Sequence, residues 1–349
     1  MRKFARAAAL LLAVSTLIST VSVSAQSNGL GISPRKDYSI QPGKNISDTI
    51  YISNLSTTQD LDVELSLVDF GAQNETGAPA LRVNDESSTA QTPWSLKPFI
   101  KLPSTQHIAA GKSVYAPISV AIPASQGAGS YYSAIQYKAV NPVTKQRVNI
   151  AASTATLVFV TVPGNAREQL IMKEFGAWQS TSNQLSGAFK GLYIGASPKE
   201  LAYRFQNNGN IAEQPSGSIL IKNMFGHNSV EIQDANPKRQ LSLIGQTRRI
   251  QVCLKTSVLN DQSNATGNSV KQTICDAPGL MPGHYTAQIV VFYGLSNNNT
   301  QEIQATASFW YFPWWFIVGT IVVIIALVLL GWLIKRAFWG GGRRRRYRR

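Results

Sequence analysis

The residues of this chain that could do chemistry are three histidines, two cysteines, a loose group of acids and one glycine-lysine turn. His107, His227 and His284 lie far apart with no metal-ligand spacing around them, so each reads as a turn or strand residue. Gly111-Lys112-Ser113 has the ending of a phosphate-binding loop. Gln106 stands where that loop needs its leading glycine, and the surroundings are strand rather than strand-to-helix, so the segment reads as a turn. No Gly-x-Ser-x-Gly elbow occurs, and Asp60, Asp62, Asp69, Asp85 and Glu86 cluster without an assignable partner acid or base. The sequence therefore predicts a chain with no catalytic residue, no metal site and no cofactor.

The cysteines carry a different expectation. Both lie in the segment read below as exported, where thiols oxidise, which predicts a Cys253–Cys275 disulfide. Alternation places Ile250, Val252 and Leu254 inward and Cys253 outward, so the bridge should pin the polar excursion from Lys255 to Thr273 rather than join two sheets. Two cysteines alone do not complete a zinc site.

The elements that must position these residues are short alternating strands. Ser47-Asp-Thr-Ile-Tyr-Ile-Ser53, Leu61-Asp-Val-Glu-Leu-Ser-Leu67, Val114 to Ile122, Ile135 to Val140 and Thr156 to Val162 are bounded by Gly, Pro, Asn and Ser. A weak repeat runs through them. Ala110-Gly-Lys-Ser-Val-Tyr leads to Ile122-Pro and Gly129-Ser-Tyr-Tyr, and later Ile244-Gly-Gln-Thr-Arg-Arg leads to Leu280-Met-Pro-Gly-His-Tyr. The expected fold is all-β: two tandem Ig-like sandwiches, residues 26–163 and 164–311, meeting at Pro163-Gly164, which should let the first reach outward. Tyr285 is a candidate tyrosine corner, in which the phenol reaches back to the preceding backbone, and Tyr132 is its counterpart in the first domain.

Both ends of the chain point to a membrane. Arg2, Lys3 and Arg6 precede the apolar run Ala7 to Ile18, and Val23 and Ala25 sit before a plausible cut, so residues 1–25 read as a signal peptide. Residues 312–334 hold no charge and, at about 1.5 Å per residue, suffice for a bilayer core of roughly 30 Å. Trp314 and Trp315 mark one head-group layer, Trp332 and Trp339 the other, and Lys335 and Arg336 open a basic tail, residues 335–349, expected on the cytoplasmic side. Of the 33 Lys and Arg, three lie in the leader and eight from Lys335 onward, leaving 22 against 18 Asp and Glu. The exported part is nearly neutral, which argues against nucleic acid as a partner.

This arrangement resembles the WxL-interacting proteins of bacterial cell surfaces. The residues that carry the likeness are Leu30-Gly-Ile-Ser-Pro34, Tyr38-x-Ile40-x-Pro42-Gly43, Ile50-Tyr-Ile-Ser-Asn54, Phe99-Ile-Lys-Leu-Pro103 and Ile122-Pro-Ala leading to Gly129-x-Tyr131-Tyr132. Phe205-Gln-Asn-Asn-Gly-Asn210 and Gly217-Ser-Ile-Leu-Ile-Lys-Asn223 extend it loosely into the second domain. The resemblance implies peptidoglycan binding by the first domain and partner binding by the second. Trp94-Ser-Leu96 matches the partners' three-residue motif but stands once, in mid-chain, and is read as chance.

The functional expectation is a membrane-anchored, single-pass, non-catalytic binding protein, its domains outside the cell and its tail inside, engaging cell-wall polymer (peptidoglycan) or a surface protein. The alternative is a structural spacer or accessory subunit of an envelope or secretion complex. Trp94, Phe99, Tyr131 and Trp178 are the candidate binding aromatics: sharing one solvent face would favour binding, and burial of all four the spacer.

Overall fold

The computed structural model describes residues 29–82, 92–140, 155–181, 186–259, 272–294 and 301–339. The leader, the tail beyond Trp339, Asp85 and Glu86 lie outside the described residues.

Alternation of β-branched and polar residues makes strands wherever one face can be buried. The first part contains β1 (Leu30–Ile32), β2 (Arg35–Ser39), β3 (Asn45–Asn54), β4 (Leu61–Val68), β5 (Phe70–Gln73), β6 (Ala78–Leu81), β7 (Ile100–Lys101), β8 (Thr105–Ile108), β9 (Ser113–Ala121), β10 (Gly129–Val140) and β11 (Ala155–Val162). They form a sheet ordered β1-β3-β9-β7 and another ordered β2-β11-β10-β4-β8. Ile50, Ile52, Ile118 and Val120 from one sheet meet Val63, Ile135, Val158 and Val160 from the other in a continuous core.

The second part contains β12 (Leu170–Ser180), β13 (Gly187–Phe189), β14 (Leu192–Ile194), β15 (Glu200–Asn207), β16 (Ser216–Asn223), β17 (Asn228–Ile232), β18 (Thr247–Cys253), β19 (Lys255–Leu259), β20 (Gln272–Asp276), β21 (Gly283–Tyr293) and β22 (Gln301–Phe312). Its sheets run β13-β12-β15-β18 and β14-β22-β21-β16-β17 around Tyr203, Phe205, Ile219, Ile250, Ile289 and Phe309. In each five-stranded sheet the last long strand takes a short parallel partner, β2 beside β11 and β14 beside β22.

The repeat seen in the sequence is a repeat of hydrogen bonds. Asn54 donates its amide to the Gln59 and Ile108 carbonyls and accepts from Ser56, while Asn207 donates to the Ile211 and Ser242 carbonyls and accepts from Gly209. Gly129 and Gly283 open β10 and β21 at φ near +150°, and the tyrosine two residues on reaches back four. Tyr285 Oη donates to the Met281 carbonyl at 2.7 Å, and Tyr131 Oη to the Gly127 carbonyl at 2.9 Å. Tyr132 is not the counterpart. Aligning the two glycines rather than the tyrosine pair moves the corner by one residue, and Tyr132 then points to the opposite face of the sheet.

Tyr132 instead belongs to a third apolar cluster, in which Val68, Phe70, Ala134 and Phe159 of the first sandwich pack on Leu243 and Ile244 of the second. Around it, Ser130 N donates to the Asn210 carbonyl, Asn210 Nδ2 to the Ala128 carbonyl and Ala72 N to Gln246 Oε1. Glu75, at the tip of the β5–β6 hairpin, pairs with Arg204 on β15. Pro163-Gly164 is therefore not a swivel. The hairpin and the apolar cluster fix the two sandwiches to each other.

Cys253 and Cys275 are bonded. Ile250, Val252 and Leu254 are buried and Cys253 is partly exposed, so the bond ties the end of β18 to the β19–β20 hairpin outside the core. Closing a loop with a sequence separation of 22 removes about 3 kcal/mol of unfolded-chain entropy in the simple polymer account. Reduction is expected to speed amide exchange in β19 and β20 and to leave β9 and β10 unchanged. Exchange mass spectrometry with and without reductant checks this, and faster exchange in β10 would contradict it.

The expected membrane segment, 312–334, is shifted in the structure. Phe312 is the last residue of β22, and α1 runs from Trp314 to Trp339, through Lys335 and Arg336. Pro313 cannot donate to the sheet ladder, and its carbonyl accepts the amides of Phe316 and Ile317 to start the helix. Lys and Arg are good helix formers, so the charged end continues the helix, with the Arg336 guanidinium 5.4 Å from the Trp332 ring. The helix is long and apolar enough to cross a bilayer, and none of it is buried against the sandwiches.

Candidate functional site

The four aromatics singled out in the sequence do not share a solvent face. Tyr131 is buried, stacked edge-on with Phe99, itself packed partly on the first core. Trp178 is buried between Phe189 and the Arg249 guanidinium, 4.5 Å from its ring. Trp94 is partly covered by the junction cluster. The corner hydrogen bond turns Tyr131 inward and the core phase of β12 does the same for Trp178, while Trp94 and Phe99 keep part of their surface exposed. The Trp94-Ser95-Leu96 segment is architectural: Ser95 Oγ and Ser133 Oγ both donate to buried Asp69, and Leu96 is fully buried.

An outward-facing aromatic pair of the first domain lies elsewhere, with Tyr115 exposed and Tyr51 partly so. Burial of Ile50 and Ile52 forces Ser47, Thr49, Tyr51 and Ser53 of β3 outward, and burial of Ala116, Ile118 and Val120 does the same for Ser113, Tyr115, Pro117 and Ser119 of β9. The register sets Tyr51 opposite Tyr115, with ring centroids 5.5 Å apart and planes tilted by 57°. Tyr115 is 66% exposed. The Tyr51 hydroxyl lies 3.0 Å from Ser113 Oγ, which donates to Ser53 Oγ at 3.0 Å. The hydrogen bond with Ser113, then Ser53, holds the Tyr51 phenol below its usual range.

This face offers two aromatic surfaces bordered by hydroxyls, with no charge at the eight outward positions of β3 and β9 and one cation, Lys101 of β7, at its edge opposite Ser119. Such a surface can stack on the C–H face of a sugar ring and exchange hydrogen bonds with its hydroxyls. It is a poor match for a polyanion. The alternation that turns Tyr51 outward is readable in Ile50-Tyr-Ile52. The pairing with Tyr115 is not, because it depends on the β3–β9 register.

The remaining candidates for chemistry have other surroundings. Strand pairing sets Asp62 opposite His107, so Asp60 and Asp62 do have a partner: Nδ1 lies 2.8 Å from Asp62 Oδ1 and Nε2 3.8 Å from Asp60 Oδ2. His284 packs on Trp310, and the His227 backbone amide donates to Asn223. Gly111-Lys112 is a turn, closed by Lys112 N to the Ala109 carbonyl. Among the described residues no group of three or more His, Cys, Asp or Glu could hold a metal ion. Two shallow depressions lie near the junction, one lined by Arg167, Glu168 and Gln301 and the other by Trp94, Asn207 and Ile244, and neither lining pairs a nucleophile with a base.

No family model and no curated protein sequence matches the chain. Solved structures do, at low similarity. A complex titled as the chaperone–tip adhesin of CFA/I fimbriae biogenesis is 9% identical over 80% of this chain and 98% of the other, with a TM-score of 0.34. The E. coli chaperone DraB is 12% identical over 79% and 96%, with a TM-score of 0.32. The Pseudomonas aeruginosa CupB2 chaperone is 8% identical over 79% and 98%, with a TM-score of 0.30. Likeness at this level assigns no activity to the present chain.

Proposed function

We propose that this chain is a membrane-tethered, non-catalytic surface protein built from two Ig-like sandwiches, and that its first domain binds neutral cell-wall polymer, peptidoglycan glycan in particular. The observation that carries the reading is the outward-facing Tyr51–Tyr115 pair, Tyr115 exposed and Tyr51 partly so, on a hydroxyl-lined sheet face of that domain. The signal-like leader, the apolar helix and the arginine tail support a single-pass topology with the sandwiches outside and the tail inside. The alternative, a spacer or accessory subunit of an envelope complex, draws support from the junction, which holds both sandwiches as one unit on the helix.

The two readings separate in one experiment. The full chain in detergent or nanodiscs is sedimented with insoluble peptidoglycan at moderate salt. Saturable retention, competed by soluble glycan strands, is expected for the binder. Absence of retention at every polymer concentration would reject it in favour of the spacer or of a surface-protein partner.

A further inference from the structure

A second surface lies where the sandwich meets the helix. Among the described residues ahead of α1, ten large hydrophobic side chains are exposed, and six of them, Leu192, Ile194, Met224, Phe225, Met281 and Trp310, gather at one end of the second domain. Pairing puts them there. Leu192 lies opposite Trp310 and Ile194 opposite Phe312 at the end of β22, while Gly283 pairs with Tyr311 and begins the strand next to Met281. Met224 lies over Gly283, and Phe225 forms the tip of the β16–β17 turn. Phe225 is 75% exposed and Met281 69%.

Only Pro313 separates β22 from α1. The connection is braced: Gly195 N donates to the Phe312 carbonyl at 2.9 Å, Gly195 also lies against the Trp314 indole, and Trp310, Phe312 and Phe316 stack in succession from strand into helix. The apolar end therefore stays within a turn or two of the helix start. Exposed apolar patches of this extent on soluble domains mark an interaction site, and Trp and Phe favour the head-group boundary.

We propose that this end of the second domain is seated in the outer head-group layer of the bilayer that α1 crosses, with Phe225 and Met281 reaching the acyl boundary. The proposal rests on reading α1 as a membrane span. Its occupant is lipid because the helix that begins beside it brings the bilayer to this surface and to no other.

The test uses the full chain in nanodiscs with its disulfide intact and a single added cysteine carrying an environment-sensitive fluorophore, at Phe225→Cys, Met281→Cys, Ile321→Cys or Gln41→Cys. Labels at 225 and 281 are expected to shift to the blue and to be quenched more by lipid with a shallow nitroxide than with a deep one. The label at 321, in mid-helix, should be quenched most by the deep nitroxide, and the label at 41, in the first domain, by neither. Water-like emission at 225 and 281 with deep quenching at 321 would overturn the seating and leave the span standing. A blue shift at 225 without lipid quenching would overturn it in favour of a protein contact, and no quenching at 321 would remove the span and the seating together.

Discussion

Replacing Phe70 with alanine is expected to cost about 3–5 kcal/mol, because it empties the centre of the junction cluster. Phe70 is almost fully buried, with the Tyr132 and Phe159 rings 5.1 and 5.7 Å away. It also starts the β5–β6 hairpin, whose tip places Glu75 on Arg204, so the loss should spread to the polar contacts between the sandwiches. Calorimetry of the full chain should show one coupled transition for the wild type and two separated transitions for Phe70→Ala. An unchanged single transition would mean that the junction does not couple the domains. Tyr132→Phe is the contrasting variant. The Tyr132 hydroxyl is buried without a hydrogen-bond partner of ordinary geometry, and burial above all holds its phenol well above the usual range, so removing it should leave stability unchanged or slightly higher.

Glu213→Gln is expected to stabilise the second domain above neutral pH and not below pH 5. Glu213 is 1% exposed; burial above all, then the charge of Glu168, pushes its carboxyl up to about 7, while the Gly294 amide, donating to Oε2 at 3.2 Å, partly opposes this. The folded state thus holds a proton that the unfolded chain releases near 4.5. Stability from this group is fully present below 4.5 and is lost as pH rises through about 7, up to about 3 kcal/mol in all. Gln keeps an acceptor for Gly294 and cannot ionise. Urea melts at pH 5 and pH 8 should show the wild type losing stability relative to the variant over that interval, and parallel pH dependence would refute the assignment.

The strands and the disulfide were legible because both depend on local pattern: alternation around Ile50, Ile118 and Ile250 sets the faces, and two cysteines have one pairing. The apolar helix was legible from composition, though its start was not, since the stretch from Phe309 to Phe312 is as apolar in a strand as in a span. What could not be read depends on register and on contacts between distant segments. Tyr131 and Tyr132 are adjacent and identical, and only the Gly129–Gly283 correspondence tells which one turns back to the chain. Trp94 and Phe70 look like ordinary core residues, and nothing local says that their core is the seam between domains. The buried Glu213 leaves no signal at all, because its environment is assembled from Ser242, Gly294 and Glu168.

The most direct measurement of the central claim is retention of the Tyr51→Ser/Tyr115→Ser double variant on insoluble peptidoglycan, beside the wild-type full chain in the same nanodiscs. Neither side chain belongs to the core, so melting should be unchanged. Each aromatic at a binding centre is worth about 2 kcal/mol, so the affinity should fall by about 30-fold for one and by up to about 1,000-fold where the two add. Wild-type retention with unchanged binding by the double variant would contradict the assignment of this face.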